Sequence, residues 1–179
     1  MRVIAGEYKG RKLETPLDNS VRPTSDKVKE AMFSILMNDI WGSKVCDLFA
    51  GTGGLGIEAL SRGAEKCYFA DQSRGSIKLL TENVKKCGAM EKSVIIPGDF
   101  TRALERIREQ IDIFIIDPPY GNGMEYKAME IIQRNNLLAE DGVIVVEHDA
   151  RDTMDDQVSG FTKLKEKKYG KVVLSIYVC

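Results

Sequence analysis

The 179-residue sequence predicts an α/β fold built on a doubly wound, mostly parallel sheet. Apolar runs typical of buried strands alternate with amphipathic segments of helix length between residues 44 and 148. A glycine-rich turn follows the first apolar run, and an Asp-Pro-Pro-Tyr motif follows the fourth. Because each strand–helix–strand unit needs a crossover connection, successive strands should be parallel.

The amino-terminal segment precedes this alternation. Residues 2–15 alternate in polarity and contain two glycines, which predicts a short β-hairpin or a pair of strands. A helix should begin after Pro23, where Thr24 or Ser25 can cap it. An apolar stripe at helical spacing supports that helix and comprises Val28, Ala31, Met32, Ile35 and Leu36.

Five strands and four helices are then predicted in alternation, followed by a hairpin. The strands lie near residues 44–49, 66–71, 93–97, 111–116 and 142–148. The helices lie near residues 54–62, 74–87, 100–110 and 124–136. Residues 161–169 and 172–178 are too close together for a crossover helix, so they should form an antiparallel hairpin at one sheet edge. The predicted sheet therefore has seven strands.

Composition restricts the classes of function. Charged residues make up 30% of the chain but the net charge is −1, so any contact with a polyanion must come from local patches. The four cysteines have no Cys-x-x-Cys spacing, and Cys46 and Cys67 fall in predicted strands, where buried free thiols are expected. The sequence shows no signal peptide and no apolar run of membrane-spanning length. We therefore expect a soluble, reduced, cytoplasmic protein.

The most informative motif is Asp117-Pro118-Pro119-Tyr120, directly after the strand at 111–116. The prolines end strand pairing because proline has no N–H to donate. A carboxylate, backbone carbonyls and an aromatic ring thus meet at the carboxyl end of a strand, where open α/β sheets bind ligands. These groups suit a flat ring that bears an amino group, since they accept its hydrogen bonds and stack on its face.

The glycine-rich turn indicates a nucleotide-type cofactor. Residues 51–56 match G-x-G-x-x-G, and Asp71 ends the next strand, so a nicotinamide dinucleotide site is one alternative. S-adenosylmethionine is favoured because Asp47 precedes the turn, where a carboxylate suits an ammonium group and would repel a pyrophosphate. Asp99 follows the third strand and is placed to accept from an adenine amino group. The single histidine, His148, is expected to be structural.

Several segments together resemble a known family. Residues 47–53 with the Asp-Pro-Pro-Tyr motif resemble class I S-adenosylmethionine-dependent amino-methyltransferases. Adding residues 2–13, 22–30 and 56–63 makes the chain similar to the RsmD family of 16S rRNA guanine-N2 methyltransferases. The resemblance implies a Rossmann-like class I methyltransferase domain over residues 21–179, preceded by a small β-hairpin extension over residues 1–20.

The resemblance also implies roles for individual residues. The catalytic residues are Asp117, Pro118, Pro119 and Tyr120. The cofactor-binding residues are Asp47, Phe49, Ala50, Gly51, Thr52, Gly53, Asp71, Gln72, Ser73, Asp99 and Phe100. Asp117 and the Pro118 carbonyl would accept the hydrogens of the target amine, and Tyr120 would stack on a base splayed out of its RNA context. No metal is implied.

Basic residues form two groups. The first, the basic arm, comprises Arg2, Lys9, Arg11 and Lys12. With Arg22, and with Thr24 by the resemblance, the arm is expected to contact RNA. The second group, the tail lysines, comprises Lys163, Lys165, Lys167 and Lys168. The first three tail lysines should share one strand face and protect a sheet edge from aggregation.

Four functions are therefore weighed. An RNA guanine-N2 methyltransferase leads, acting as a monomer on small-subunit ribosomal RNA or the assembling 30S particle, with no membrane partner. A DNA adenine-N6 methyltransferase shares the Asp-Pro-Pro-Tyr motif, but the chain has no insertion large enough for a separate target-recognition domain. A nicotinamide-dependent oxidoreductase rests on the glycine turn alone. A non-catalytic RNA-binding assembly factor would not need the intact motif.

Overall fold

The computed structural model describes residues 1–16 and 24–179. Its centre is a mixed sheet in the strand order β3-β2-β1-β4-β5-β8-β7-β6. The strands are β1 (Lys44–Asp47), β2 (Lys66–Asp71), β3 (Ser93–Pro97), β4 (Ile111–Ile116), β5 (Leu138–Asp149), β6 (Gln157–Val158), β7 (Phe161–Tyr169) and β8 (Val172–Val178). The first five strands are parallel to one another, and β8 pairs antiparallel with both β5 and β7.

Helices cover both faces of the sheet and create two apolar cores. The helices are α1 (Asp26–Ile35), α2 (Gly54–Ser61), α3 (Arg74–Cys87), α4 (Phe100–Arg106) and α5 (Met124–Arg134). One core joins α1, α2 and α3 to the sheet and contains Met32, Leu60 and Leu80. The other joins α4 and α5 to the opposite face and contains Leu104 and Ile132. The predicted doubly wound α/β fold is thus confirmed.

Three details of the prediction differ from the structure. The sheet has eight strands rather than seven, because the two-residue β6 pairs with β7 through Val158 and Phe161. Helix α4 ends at Arg106, four residues before the predicted end, because Ile107 adopts an extended conformation. Strand β5 begins at Leu138, where it pairs with Ile111, so it is four residues longer at its start than predicted.

The amino-terminal segment forms a hairpin-like loop with very little strand character. Its two arms are joined by backbone hydrogen bonds, among them Val3 N to Arg11 O at 3.0 Å. The arms form a single isolated bridge, between Arg2 and Lys12, so the predicted pair of strands is wrong. Val3, Tyr8 and Leu13 are buried in the core on the α2 side. The predicted boundary at residue 20 falls among residues 17–23, outside the described residues.

A buried ionic cluster fixes this segment to the helices. The carboxylate of Glu58, on α2, is fully buried and accepts hydrogen bonds from the backbone N–H groups of Ile4 (2.9 Å) and Ala5 (3.0 Å). Lys29, on α1, lies 3.2 Å from Glu58 and donates to the carbonyl oxygen of Arg2 at 2.7 Å. Arg62 completes the cluster with a 2.8 Å contact to Glu58. The loop, α1 and α2 are therefore held as one unit.

Candidate active site

A cleft of about 570 Å³ opens at the carboxyl ends of the parallel strands. Its wall combines the Asp-Pro-Pro-Tyr motif after β4, the turns after β1, β2 and β3, the start of α1 and the end of β5. The volume lies in the usual range for small-molecule and cofactor sites. The cleft is where the topology of an open α/β sheet places a ligand.

Asp117 lies on this wall next to the start of α1. Burial raises the pKa of its carboxyl group to about 6, and a hydrogen bond from Thr24 acts in the opposite direction. The Thr24 hydroxyl donates to Asp117 Oδ2 at 3.3 Å. Thr24, predicted among the RNA-binding residues, thus faces the predicted catalytic carboxylate. Ser25 caps α1 by accepting from Val28 N, so the backbone beside Thr24 is held by the helix start.

Tyr120 and Glu147 form a second pair on the cleft wall. The Tyr120 side chain is 38% exposed, so its ring is available at the mouth of the cleft. Its hydroxyl donates to Glu147 Oε1 at 3.4 Å. Glu147 is almost fully buried near the end of β5 and was missed by the sequence analysis. The sequence signal for Glu147 is a charged residue near the end of an apolar strand, directly before His148.

The glycine turn is held tightly beneath the cleft. Gly53 adopts a left-handed φ of 89° at the N-cap of α2, a conformation that glycine reaches without strain. Gly56 serves packing, since a Cβ there would lie 2.2 Å from the ring of Phe69. Only Gly51 among the turn glycines lines the cleft. The third glycine of the motif therefore brings α2 close to β2 and does not face the ligand site.

Asp47 lies under this turn and does not line the cleft. Its Oδ2 accepts from Gly56 N at 3.0 Å, while Oδ1 has no hydrogen-bond partner within residues 1–16 and 24–179. Burial raises the pKa of Asp47 to about 7, and the Gly56 N–H opposes that shift. Ala50, Thr52 and Gly53, also predicted to bind cofactor, likewise do not line the cleft. A buried, partly unsatisfied carboxylate next to the cleft favours a cationic ligand.

Asp71 organises the next two turns. Its Oδ2 accepts from Gly51 N at 2.8 Å, and its Oδ1 accepts from Ser73 N at 2.8 Å. The Ser73 hydroxyl then caps α3 by accepting from Ser76 N. Asp71, Gln72 and Ser73, which were predicted to bind cofactor, all line the cleft.

Asp99 and two phenylalanines line the cleft beside the end of β3. Asp99 caps α4, since its Oδ1 accepts from Thr101 N at 2.9 Å. The rings of Phe49 and Phe100 have their centroids 5.2 Å apart at an interplanar angle of 41°. An acidic group beside two aromatic rings suits a flat heterocycle with an amino group.

The basic arm lies outside the cleft. Arg2 is paired with Asp26 at 3.5 Å, and its side chain is 68% exposed. The Arg11 guanidinium lies 5.2 Å from the centroid of the Tyr8 ring and donates to the carbonyl oxygen of Lys86. Lys9 and Lys12 are exposed. Arg22, the remaining predicted RNA contact, lies outside the described residues. The described arm residues are thus exposed cations that do not line the cleft, and Arg2 reaches Asp26, next to Ser25 on the cleft wall.

Two further predictions concern the last strands. Lys165 and Lys167 share a strand face as predicted, but Lys163 does not share it, because a β-bulge between Lys163 and Lys165 shifts the register of β7 against β8. Lys163 pairs with Tyr177 and lies among Asp156 and Glu166, whereas Lys165 pairs with Ile176. His148 is structural, as predicted: it is buried, and its Nε2 lies 2.9 Å from the hydroxyl of Ser175. Cys46 and Cys67 are buried free thiols, also as predicted.

The described ranges contain neither a metal-binding cluster nor a membrane-spanning helix. Within residues 1–16 and 24–179, no group of three or more histidine, cysteine, aspartate or glutamate side chains is arranged to hold a metal ion. In the same ranges, none of the helices has the length and apolar character needed to cross a membrane.

Comparison with known proteins places this geometry in context. A family model described as Conserved hypothetical protein 95 matches residues 1–178. The YlbH protein of Bacillus subtilis (strain 168) is 37% identical over 180 residues, which are 99% of this chain and 98% of that protein. Ribosomal RNA small subunit methyltransferase D of Haemophilus influenzae is 35% identical over 181 residues, which are 99% of this chain and 93% of that protein.

A solved structure agrees with the fold. The protein yhhF from Escherichia coli is 28% identical and superposes with a TM-score of 0.89. The superposition covers 99% of this chain and 96% of that chain. The likeness therefore includes the amino-terminal loop and the carboxyl-terminal strands as well as the parallel sheet.

Proposed function

Because the chain belongs to the family described as Conserved hypothetical protein 95, the RsmD family, we propose that it methylates the N2 amino group of a guanine in small-subunit ribosomal RNA. The methyl donor in this proposal is S-adenosylmethionine. The observation that carries it is the Asp-Pro-Pro-Tyr motif at the cleft, with a partly buried Asp117 near a half-exposed Tyr120. The relative from Haemophilus influenzae carries the name of a ribosomal RNA methyltransferase.

The residues around the cleft fit S-adenosylmethionine. Asp47 lies behind the glycine turn with one oxygen that has no hydrogen-bond partner in the described ranges, so it would place negative charge next to the positively charged donor without lining the cleft. Asp71 would accept from the ribose hydroxyls, and Asp99 from the adenine amino group, with Phe49 and Phe100 against the ring. When bound, the donor supplies a methyl group on a positively charged sulfur. A nicotinamide cofactor would bring a pyrophosphate toward Asp47, which its buried carboxylate disfavours.

Asp117 and Pro118 prepare the nucleophile. The lone pair of an exocyclic amine is delocalised into the ring, so the amine is a weak nucleophile. Accepting its two hydrogens at the Asp117 carboxylate and the Pro118 carbonyl favours a pyramidal nitrogen with a localised lone pair. Transfer of the methyl group to this nitrogen would leave it positively charged and acidic, and its proton would pass to the Asp117 carboxylate or to water. Orientation of this kind can contribute roughly 7–11 kcal/mol.

Tyr120 and the basic arm bind the RNA. The Tyr120 ring would stack on the extruded base, which typically contributes about 1–3 kcal/mol per base. The exposed cations of the arm would neutralise phosphates remote from the target nucleotide. In this proposal the substrate is small-subunit ribosomal RNA or the assembling 30S particle, and the protein is a cytoplasmic monomer without a metal.

The test is mass mapping of small-subunit RNA after incubation with the purified protein and S-adenosylmethionine. RNA and small subunits from cells lacking the gene should each be used as substrate. Wild type should add one methyl group to one guanine, and Asp117→Ala should add none while still binding the donor in calorimetry. Asp141→Ala, which changes an exposed aspartate on β5, is the matched control and should keep wild-type activity.

Three outcomes would contradict the proposal. A methyl group found only on adenine, or only on DNA, would remove the assigned substrate. Binding of NAD without binding of S-adenosylmethionine would remove the assigned donor. Near wild-type turnover by Asp117→Ala would remove Asp117 as the acceptor of the target amine.

A further inference from the structure

We propose that Glu147 reads the N1–H group of the target base and thereby selects guanine over bases that present an acceptor at N1. The inference rests on the proposed function and adds a specificity-determining residue to it. It starts from the position of Glu147 on the cleft wall, almost fully buried and linked to Tyr120.

Strand register places Glu147 beside Asp117. Strands β4 and β5 are parallel, and Ile116 pairs with Val146. The residues that follow this pair are Asp117, directly after β4, and Glu147, on β5. Neighbouring strands are about 4.8 Å apart, so the two residues lie side by side. Because side chains alternate along a strand, both should project on the face where Ile115 and Val145 join the α1 side of the core. The contact of Asp117 with Thr24, just before α1, agrees with that direction.

Two neighbouring carboxylates complement the edge of guanine. That edge presents the N1–H beside one hydrogen of the N2 amino group, and the second amino hydrogen points toward N3. Asp117 and the Pro118 carbonyl would accept the two amino hydrogens, and Glu147 would accept the third, from N1. Adenine presents its amino group next to an unprotonated N1, whose lone pair a carboxylate repels. Enzymes that act on extruded bases commonly read them through this edge.

The contact with Tyr120 is compatible with this role. An ionised carboxylate has about four positions that accept hydrogen bonds, so Glu147 can bind the base and keep its existing contacts. The Tyr120 hydroxyl donates to Oε1, which connects the stacking ring to the group that reads the base edge. A base stacked on Tyr120 would thus present its edge toward Glu147. Tyr120 would fix the plane of the base, and Asp117 and Glu147 would select its identity.

The experiment compares two target RNAs that differ at one nucleotide. Both carry the sequence mapped in the preceding test, with either guanine or 2-aminopurine at the methylated position. The analogue keeps the N2 amino group, replaces N1–H by an acceptor and lacks the C6 carbonyl, so the comparison with Glu147→Gln isolates the N1 contact. Wild type should methylate the guanine RNA at least tenfold faster, measured as kcat/KM by incorporation of a labelled methyl group. Glu147→Gln should reduce that preference to below threefold, because its amide can donate to N1 of the analogue.

Controls separate reading from folding. Glu140→Gln changes an exposed glutamate on the same strand and should keep the wild-type preference. Affinity for S-adenosylmethionine and the melting temperature of Glu147→Gln should stay near wild type. The ratio of kcat/KM for guanine RNA to that for 2-aminopurine RNA is measured on the wild-type protein. It therefore tests the proposal even if the Glu147 variant folds poorly.

The outcomes are distinct. A wild type without preference between the two RNAs, or a well-folded Glu147→Gln with the full wild-type preference, would overturn the role of Glu147 and leave the proposed function intact. A wild type that methylates neither RNA would remove the proposed function itself, and the inference with it. A preference that collapses only in the Glu147 variant supports the inference.

Discussion

The buried ion pair between Glu58 and Lys29 makes a strong prediction about stability. Both side chains are at most 1% exposed, and their charged atoms lie 3.2 Å apart. Glu58→Gln keeps the shape of the side chain but removes the negative charge opposite Lys29. The amide nitrogen would also face a donor, because all four groups that contact Glu58 are donors or cations. Breaking a buried pair from one side typically costs about 3–5 kcal/mol.

That cost is large compared with the stability of a typical domain, about 5–15 kcal/mol. For a chain of this length, 1 kcal/mol shifts the melting temperature by about 2–4 °C, so a fall of roughly 6–20 °C is expected. Urea denaturation should show a lower midpoint with an unchanged slope, because the native surface is unaltered. RNA affinity should also fall, since Glu58 holds the backbone of Ile4 and Ala5 in the amino-terminal loop.

The matched control is Glu130→Gln. Glu130 pairs with Lys127 at 3.0 Å on α5, but both side chains are 51% exposed. An exposed pair is typically worth less than about 1 kcal/mol. Adding Lys29→Met to Glu58→Gln should recover part of the loss, because it removes the uncompensated buried charge. If Glu58→Gln cost no more than Glu130→Gln, or if Lys29→Met added a further independent loss, the reasoning about the buried pair would be wrong.

Three further predictions concern the site and the RNA surface. Burial raises the pKa of Asp117 to about 6, so its ionised, hydrogen-bond-accepting form is lost as the pH falls through that value. The value of kcat should therefore drop about tenfold per pH unit below about 6. A flat pH profile down to about pH 4.5 would refute this. Asp71→Asn should weaken S-adenosylmethionine binding in calorimetry by about 1.5–3 kcal/mol through loss of a charged acceptor, and an unchanged Kd would count against the ribose assignment. Neutralising the basic arm should reduce the slope of log affinity against log salt by roughly 0.7–0.9 per lost phosphate contact, while the same change in the tail lysines should affect solubility more than RNA affinity. The opposite pattern would place the RNA surface at the carboxyl-terminal strands.

Local patterns were sufficient to predict the fold and the strand ends that bear the site. Apolar runs of strand length and amphipathic helices define the alternation, and they lead to a parallel sheet because crossovers require it. The carboxyl ends of parallel strands meet at one edge, so Asp71, Asp99 and Asp117 could be assigned to one cleft without coordinates. The motif at 117–120 is a local signal of the same kind.

Contacts between distant segments were decided only by the tertiary structure. Thr24 and Asp117 are 93 residues apart, and no local pattern indicates that the hydroxyl faces the carboxylate. Glu147 resembled an ordinary residue at a strand end until the pairing of β4 with β5 placed it beside Asp117. The roles of Asp47 and Gly56 also depend on how α2 packs against β2, since that packing buries both residues under the turn.

The strand faces at the carboxyl terminus show the physical reason for this division. Alternation alone places Lys163, Lys165 and Lys167 on one face, because side chains have a period of two along a strand. The bulge after Lys163 places Lys163 on the opposite face from Lys165 and Lys167. The bulge is a feature of the pairing between β7 and β8. Periodicity, turns and caps act within a few residues, so the sequence by itself determines the elements and their order. Register, burial and the meeting of side chains depend on packing across the whole chain, and only the folded structure determined them.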